Sequence, residues 1–244
     1  MTSEYKGITN DQAAFAALGV FDGVHTGHRA VIEKVKEEVP GIVLENCASG
    51  GHRLEPKMMS VMSMASFSDA HECEEIPIIA ANLHRVIHPT QSQIWAVSRQ
   101  DDSLKRIAYS ISNTFLGRMC ISGDVTQLAP EKWNLIEQGI SFYGKIKDII
   151  KEGQSYRYGP KIKSARHPEG WQALLRVGKN KQAYVVIHVF DGKLPEVIEI
   201  ELPEDAPDHI RQIYAHQEME VSIKDRKIYY RPSENKSAVT LWLE

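Results

Sequence analysis

Three stretches of this chain place reactive side chains at spacings that suit chemistry. In Cys47-Ala-Ser-Gly-Gly-His-Arg53, the adjacent Gly50 and Gly51 permit close approach of a ligand to the backbone and let their amides face its hydroxyls. Arg53 adds a planar donor fork that suits a carboxylate or a sugar oxygen. The same string is equally a tight turn followed by a surface arginine. In Ser66-Phe-Ser-Asp69, Asp69 supplies either a catalytic carboxylate or the N-cap of the helix that follows. In Leu18-Gly-Val-Phe-Asp-Gly-Val-His-Thr-Gly-His28, His25 and His28 stand at i,i+3 spacing, at which two imidazoles can share a metal. No carboxylate or thiol cluster accompanies them, so histidines at a helix terminus are the simpler account.

These residues need a scaffold, and the hydrophobic pattern predicts one. Short apolar runs at 41–46, 64–69, 93–97 and 119–122 have the character of buried strands. Helical patterns separate or follow them, at 57–63, 73–87, 104–116 and 130–152. In the second of these, Ile76, Ile79, Ala80, Leu83 and Ile87 share a face. In the last, Trp133, Ile136, Ile140, Tyr143, Ile146 and Ile150 do, which places Trp133 in the core. A further helix before residue 41 turns Val31, Val35 and Val39 inward. Strands alternating with helices of this length imply parallel βαβ units, in half of a (β/α)8 barrel or in an open doubly wound sheet. Either way catalytic groups collect where strands end, and both Asp69 and the loop from Cys47 to Arg53 fall there. So does Asp124, as a substrate contact or a turn cap. Trp95 is a sugar-stacking platform or a core residue, and His84 and His88 are packing and capping residues.

Beyond Gly153-Gln-Ser-Tyr-Arg-Tyr-Gly-Pro160 the pattern changes to short strands between turns, at 172–177, 183–190, 197–202, 221–224, 227–230 and 238–243. That spacing predicts a small antiparallel β-sandwich. The expected organisation is therefore an α/β unit over 1–152 and the sandwich over 153–244.

The 244 residues are 42% hydrophobic and 25% charged with a formal net charge of −3, an ordinary globular balance without a basic patch for nucleic acid. Three cysteines (Cys47, Cys73 and Cys120) are too few for a disulfide framework and suit a reducing, cytoplasmic setting. The polar N-terminus lacks the apolar core of a signal peptide, and no apolar run nears the roughly 20 residues that span a bilayer. The expectation is a protein with neither a nucleic-acid nor a membrane partner.

Taken together, Glu45-Asn-Cys-Ala-Ser-Gly-Gly-His-Arg-Leu-Glu55 and Ser66-Phe-Ser-Asp-Ala-His-Glu72 resemble glycoside hydrolase family 36, the α-galactosidases and their relatives. The resemblance continues through Ile76-Pro-Ile-Ile-Ala-Ala-Asn-Leu-His84, Ser92-Gln-Ile-Trp-Ala96, Gly117-Arg-Met-Cys-Ile-Ser-Gly-Asp124 and Gly170-Trp-Gln-Ala173. It implies the C-terminal half of a (β/α)8 TIM-type barrel, strands five to eight, followed by a small antiparallel β-sandwich. It also implies a retaining hydrolase of terminal α-galactosides or α-N-acetylgalactosaminides. Asp69 matches the family's general acid/base, and Cys47, Gly50, Gly51 and Arg53 match the loop that contacts the galactose ring. The implied partner is an oligosaccharide or glycoside, with a homo-oligomer open. No metal or organic cofactor is implied, because protonation and carboxylate attack suffice for the chemistry. Two departures stand out. Leu54 and Glu55 follow Arg53 where the family has an aspartate two residues after its arginine. The Lys-x-Asp-Tyr-Asn-like motif that bears the nucleophile has no counterpart before Cys47, so the chain is expected to be a fragment, inactive alone.

The stretch from Leu18 to His28 resembles a second family, the nucleotidyltransferases exemplified by bacterial FAD synthetases, in which paired histidines stabilise charge on ATP phosphates. Ile111-Ser-Asn-Thr-Phe-Leu-Gly-Arg118 is similar to a later motif of that family. The alternative function is thus an adenylyl transferase using His25 and His28. That family's first strand and the segment between its motifs have no counterpart here.

Overall fold

The computed structural model describes residues 26–47, 54–67 and 73–244. Helix α1 (Thr26–Glu38) comes first, then strand β1 (Glu45–Cys47), the short helix α2 (Pro56–Met59) and strand β2 (Met64–Ser66). Helix α3 (Ile76–Leu83), β3 (Ser92–Ser98), α4 (Leu104–Thr114), β4 (Arg118–Gly123) and α5 (Pro130–Glu152) complete the first part. Proline in the first turn starts α2, α3 and α5, where a missing amide donor costs nothing. Ser103 caps α4 by accepting from the Arg106 amide at 3.2 Å.

The four strands pair in sequence order, and every pairing is parallel. Their registers settle which side chains share a face. Ala65, Ile94, Ala96, Met119 and Ile121 turn toward the helices, and most join one core with Ile107, Ile111, Phe115, Leu135, Ile136 and Phe142. The opposite face carries Cys47, Gln93, Trp95, Arg118, Cys120 and Ser122, all at least partly exposed.

The second part is all strand: β5 (Gln154–Tyr158), β6 (Trp171–Val177), β7 (Ala183–Val189), β8 (Ile198–Glu201), β9 (Ile210–Tyr214), β10 (Glu220–Lys224), β11 (Lys227–Arg231) and β12 (Ser237–Leu243). Five form an antiparallel sheet in the order β5-β6-β7-β12-β9, and three form another in the order β10-β11-β8. Leu175, Val185, Ile187 and Leu241 from the first sheet meet Ile198, Ile200, Ile228 and Tyr230 from the second in a common core. The other face of the five-stranded sheet gives Leu174, Tyr184, Val186 and Tyr214 to the core of α4 and α5.

Several expectations shift. The first strand pairs only from Glu45, because the Leu44 carbonyl is taken by the amides of Ser63 and Met64. The helix expected at 73–87 is regular only from Ile76 to Leu83. On α1 the buried residue is Ile32, with Val35 half-buried, while Val31 and Val39 are exposed. Trp133 is not core: it is 37% exposed, and its indole N–H donates to Glu137 at 2.9 Å. Strands β5 and β9 were not foreseen. Among the described residues no helix is long and apolar enough to cross a membrane.

Candidate functional site

The parallel sheet concentrates its strand ends on one side of the molecule. Cys47, the last residue of β1, pairs with Ser66, the last of β2. The two strand ends from which the candidate segments continue in sequence are therefore adjacent and run in the same direction. Cys47 is exposed at this edge and its thiol is free. Gly50, Gly51 and Arg53 lie outside the described residues, as do Asp69 and His25. The structure thus locates the two strand ends and one of the candidate residues at them. His28 is half-exposed in the first turn of α1.

The neighbouring strand ends are knitted by backbone. Gly123 turns at φ +97°, a left-handed conformation that favours glycine, and a Cβ there would collide with the Ser98 carbonyl. This close approach lets the Asp124 amide donate to the Ser98 oxygen at 2.8 Å. The Asp124 carboxylate accepts from the Gln100 amide at 3.4 Å, and Lys132 donates to the Gln100 carbonyl at 2.6 Å. Asp124, just after β4, thus braces the turn that follows β3. Asp102 braces the same loop, accepting from the Arg99 amide at 2.8 Å and pairing with Arg106 at 3.0 Å.

On the exposed face of the sheet, Arg118 donates to the Thr90 carbonyl at 3.0 Å. Burial, and then the negative charge of Glu45, push the Cys120 thiol up. Trp95 is half-buried on this face. His84 and His88 act as packing and capping groups. His84 lies between the Leu116 carbonyl at 2.6 Å and the Ser155 hydroxyl at 3.0 Å, and His88 accepts from the Thr90 amide at 3.3 Å. Among the described residues no group of three or more His, Cys, Asp or Glu side chains could hold a metal ion.

The chain re-enters the described structure at Cys73, four positions after Asp69, and there it meets side chains to which sequence reasoning gave no role. Asn113 on α4 donates to the Cys73 carbonyl at 2.9 Å, and Tyr109 to the Glu74 carbonyl at 3.2 Å. Gln172 on β6 donates to the Pro77 carbonyl at 2.9 Å. Lys236, in the turn before β12, pairs with the Glu74 carboxylate at 2.9 Å. Asn113 and Gln172 fall within the stretches quoted from 111–118 and 170–173, but the segment each acts on is distant in sequence.

Comparison with known proteins finds two likenesses. The FAD synthetase family pattern matches residues 7–42. No curated protein matches the chain. Among solved structures, the galactosidase domain of the α-galactosidase–sucrose kinase AgaSK is similar over 89% of this chain and 31% of its own, at 17% identity and a TM-score of 0.67. A variant of the GH36 α-galactosidase AgaA from Geobacillus stearothermophilus, in complex with raffinose, is similar over the same shares at 18% identity and a TM-score of 0.67. The α-galactosidase from Lactobacillus brevis follows, again over those shares, at 16% identity and a TM-score of 0.66. This chain spans 31% of the length of each of those three. At such identities the likeness is one of fold. The parallel sheet with its helices and the two antiparallel sheets follow the C-terminal part of α-galactosidase structures.

Proposed function

We propose that this chain is the acid/base-bearing part of a retaining α-galactosidase-type hydrolase, with residues 1–152 as part of a (β/α)8 barrel and 153–244 as an appended sandwich. One observation carries the reading. The two motifs quoted from the sequence leave adjacent, parallel strand ends, β1 and β2, in a chain whose fold follows α-galactosidases over 89% of its length. Active sites of parallel α/β barrels are built at those ends. In this reading Asp69 protonates the departing glycosidic oxygen and later, as carboxylate, takes a proton from the incoming water. Cys47, Gly50, Gly51 and Arg53 line the sugar. Retention also needs a second carboxylate about 5 Å away to form the glycosyl-enzyme, and the motif that bears it in the family has no counterpart in this sequence. The 244 residues by themselves are therefore expected to bind a terminal α-galactoside without hydrolysing it.

Raffinose and sucrose test this, because they differ by the terminal α-galactosyl unit. Saturation-transfer NMR on the chain should mark the galactosyl protons of raffinose and leave sucrose unmarked, and Arg53→Ala should abolish the signal. Equal signals from both sugars, or none from raffinose, would sink the proposal. Release of p-nitrophenol from its α-galactoside by the chain alone, lost in Asp69→Asn, would instead show that the second carboxylate is present.

The match over 7–42 supports a second reading, adenylyl transfer using His25 and His28. It predicts ATP-dependent conversion of a flavin mononucleotide that His25→Ala removes. The fold, which is similar to that of the hydrolases over 89% of the chain, favours the first.

A further inference from the structure

Helix α5 has two opposite faces, and one of them is covered by the rest of the chain. Leu135, Phe142 and Ile149, each seven residues after the last, are buried in the core. On the other side Trp133, Glu137, Ile140, Gly144, Lys147 and Lys151 follow at alternating steps of four and three, all exposed. That alternation is the seam along which two helices pack, because it keeps one line of side chains facing a neighbour. Ile140, at its centre, is 43% exposed.

Gly144 is the least expected member of this stripe. Glycine inside an exposed helix is less favourable than alanine. The helix's other glycine, Gly139, has a reason within the fold, since a Cβ there would meet the Ile111 side chain. A Cβ at Gly144 would meet nothing within 4 Å. No contact inside this chain therefore calls for a glycine at 144. A notch beside the protruding Ile140 suits a helix that approaches from outside.

The order of charges says which helix that is. The stripe is acidic at Glu137 and basic at Lys147 and Lys151, and none of the three makes an ion pair among the described residues. Turned end over end about a point midway between Ile140 and Gly144, the stripe meets itself with every position answered. Ile140 enters the notch at Gly144. Glu137, steadied by the Trp133 indole N–H at 2.9 Å, faces Lys147. Trp133 faces Lys151, whose ammonium suits the face of an indole ring. A parallel pairing would instead set like charge against like.

We propose that this stripe is a homodimer interface, along which two copies of the chain pair antiparallel about a twofold axis. Because α5 begins just after β4 ends, such a pairing turns the strand ends of the two parallel sheets in opposite directions. The interface owes nothing to the hydrolase reading and stands or falls without it.

Sedimentation velocity on the chain from about 1 to 200 µM tests it, since a helix seam roughly 35 Å long with charged ends should give a dissociation constant on the order of 10 µM. Gly144→Met fills the notch and raises helix propensity. It should raise the urea midpoint of the dilute, monomeric protein while weakening association at least about tenfold. Glu137→Lys and Lys147→Glu lie on the surface and should leave the fold intact. Each alone should be monomeric, and an equimolar mixture of the two should form a one-to-one dimer, because each supplies the charge the other lacks. A parent chain that stays monomeric throughout the range overturns the proposal. So does a dimer that survives Gly144→Met, or a mixture of the two charge variants that fails to pair.

Discussion

His188 on β7 lies wholly inside the molecule, its ring stacked on Phe190 at 6.5 Å and edge-on to Tyr109 at 5.0 Å. Neither ring nitrogen has a hydrogen-bond partner among the described residues. Burial alone pushes its pKa down to about 3, so the folded protein holds it neutral. In the unfolded chain it takes a proton below its ordinary value of 6.5. Stability from this group is thus complete above pH 6.5 and declines as pH falls from there toward 3. His84, pushed down to about 4 by burial despite its bond to Leu116, adds to the same decline. His188→Phe should leave the urea midpoint at pH 7 nearly unchanged and raise stability at pH 4.5, relative to the parent, by about 2 kcal/mol. Parallel pH profiles for parent and variant would show that His188 does not drive acid unfolding. Residue identity alone did not announce any of this. A histidine within Ala-Tyr-Val-Val-Ile-His-Val is compatible with an exposed edge or a sealed core, and only the packing of α4 over β7 decides. The motif residues are the converse case: Cys47, Gly50, Gly51, Arg53 and Asp69 are proposed from short-range spacing alone, and of the five Cys47 is the one among the described residues.

Helix α5 shows how an element from the first part is completed by the second. It runs from Pro130 to Glu152, the span its hydrophobic stripe predicts, and its last carbonyls need donors. Arg176 on β6 supplies them. Its Nε donates to Ile149 at 3.2 Å, and its Nη2 donates to Ile150 at 2.9 Å and Gly153 at 2.5 Å, while Nη1 reaches the Ser155 hydroxyl at 2.5 Å. The guanidinium is buried and, among the described residues, pairs with no carboxylate, and the negative end of the helix dipole answers its charge. Arg176→Met takes the side-chain donor from the Ile150 and Gly153 carbonyls, while Ile149 keeps the Gly153 amide at 2.8 Å, and should cost about 3 kcal/mol, read as a lower urea midpoint. Arg176→Lys should recover less than half, because one ammonium cannot span three carbonyls. Equal stability of the lysine variant would show that charge, and not the fork, holds the helix end. At this scale the sequence was most informative where burial makes periodicity strong. Strands β3, β4, β6, β7 and β12 all came within a residue or two of expectation. Strands β5 and β9 were missed because Gln154-Ser-Tyr-Arg-Tyr158 and Ile210-Arg-Gln-Ile-Tyr214 are polar and edge-placed, the outermost members of their sheet. Trp133 was misread because an aromatic on an otherwise apolar stripe can sit at its margin, with its N–H bonded within its own helix.

Across the whole molecule, α4 and α5 lie between two sheets, and the core does not divide at residue 153. Phe115, Phe142 and Tyr214 pack as an aromatic group with centroids 5.1 to 6.1 Å apart. Tyr184 on β7 donates to the Phe115 carbonyl at 2.7 Å, and Tyr214 on β9 to the Leu135 carbonyl at 3.2 Å. Lys105 on α4 pairs with Glu234 at 2.7 Å. A core shared in this way should make the region from α3 to β12 unfold as one unit. Near- and far-ultraviolet circular dichroism should then trace the same denaturant curve, and Tyr184→Phe should shift that whole curve by about 1 kcal/mol. The other end is held differently. Strands β1 and β2 pair over three residues each, and α1 rests on a separate small cluster of Ile32, Leu44, Met58, Val61 and Met62. Few buried contacts mean low local stability, so amides of α1 and β1 should exchange through openings that leave α4 and β7 protected. That weakly held end is also where the proposed sugar-binding motif begins, at Cys47. A ligand bound there should slow exchange in β1 and β2 well before it raises the global midpoint, because it stabilises the state in which those strands are closed. Raffinose that raised the midpoint while leaving β1 exchange unaltered would place its binding elsewhere on the molecule.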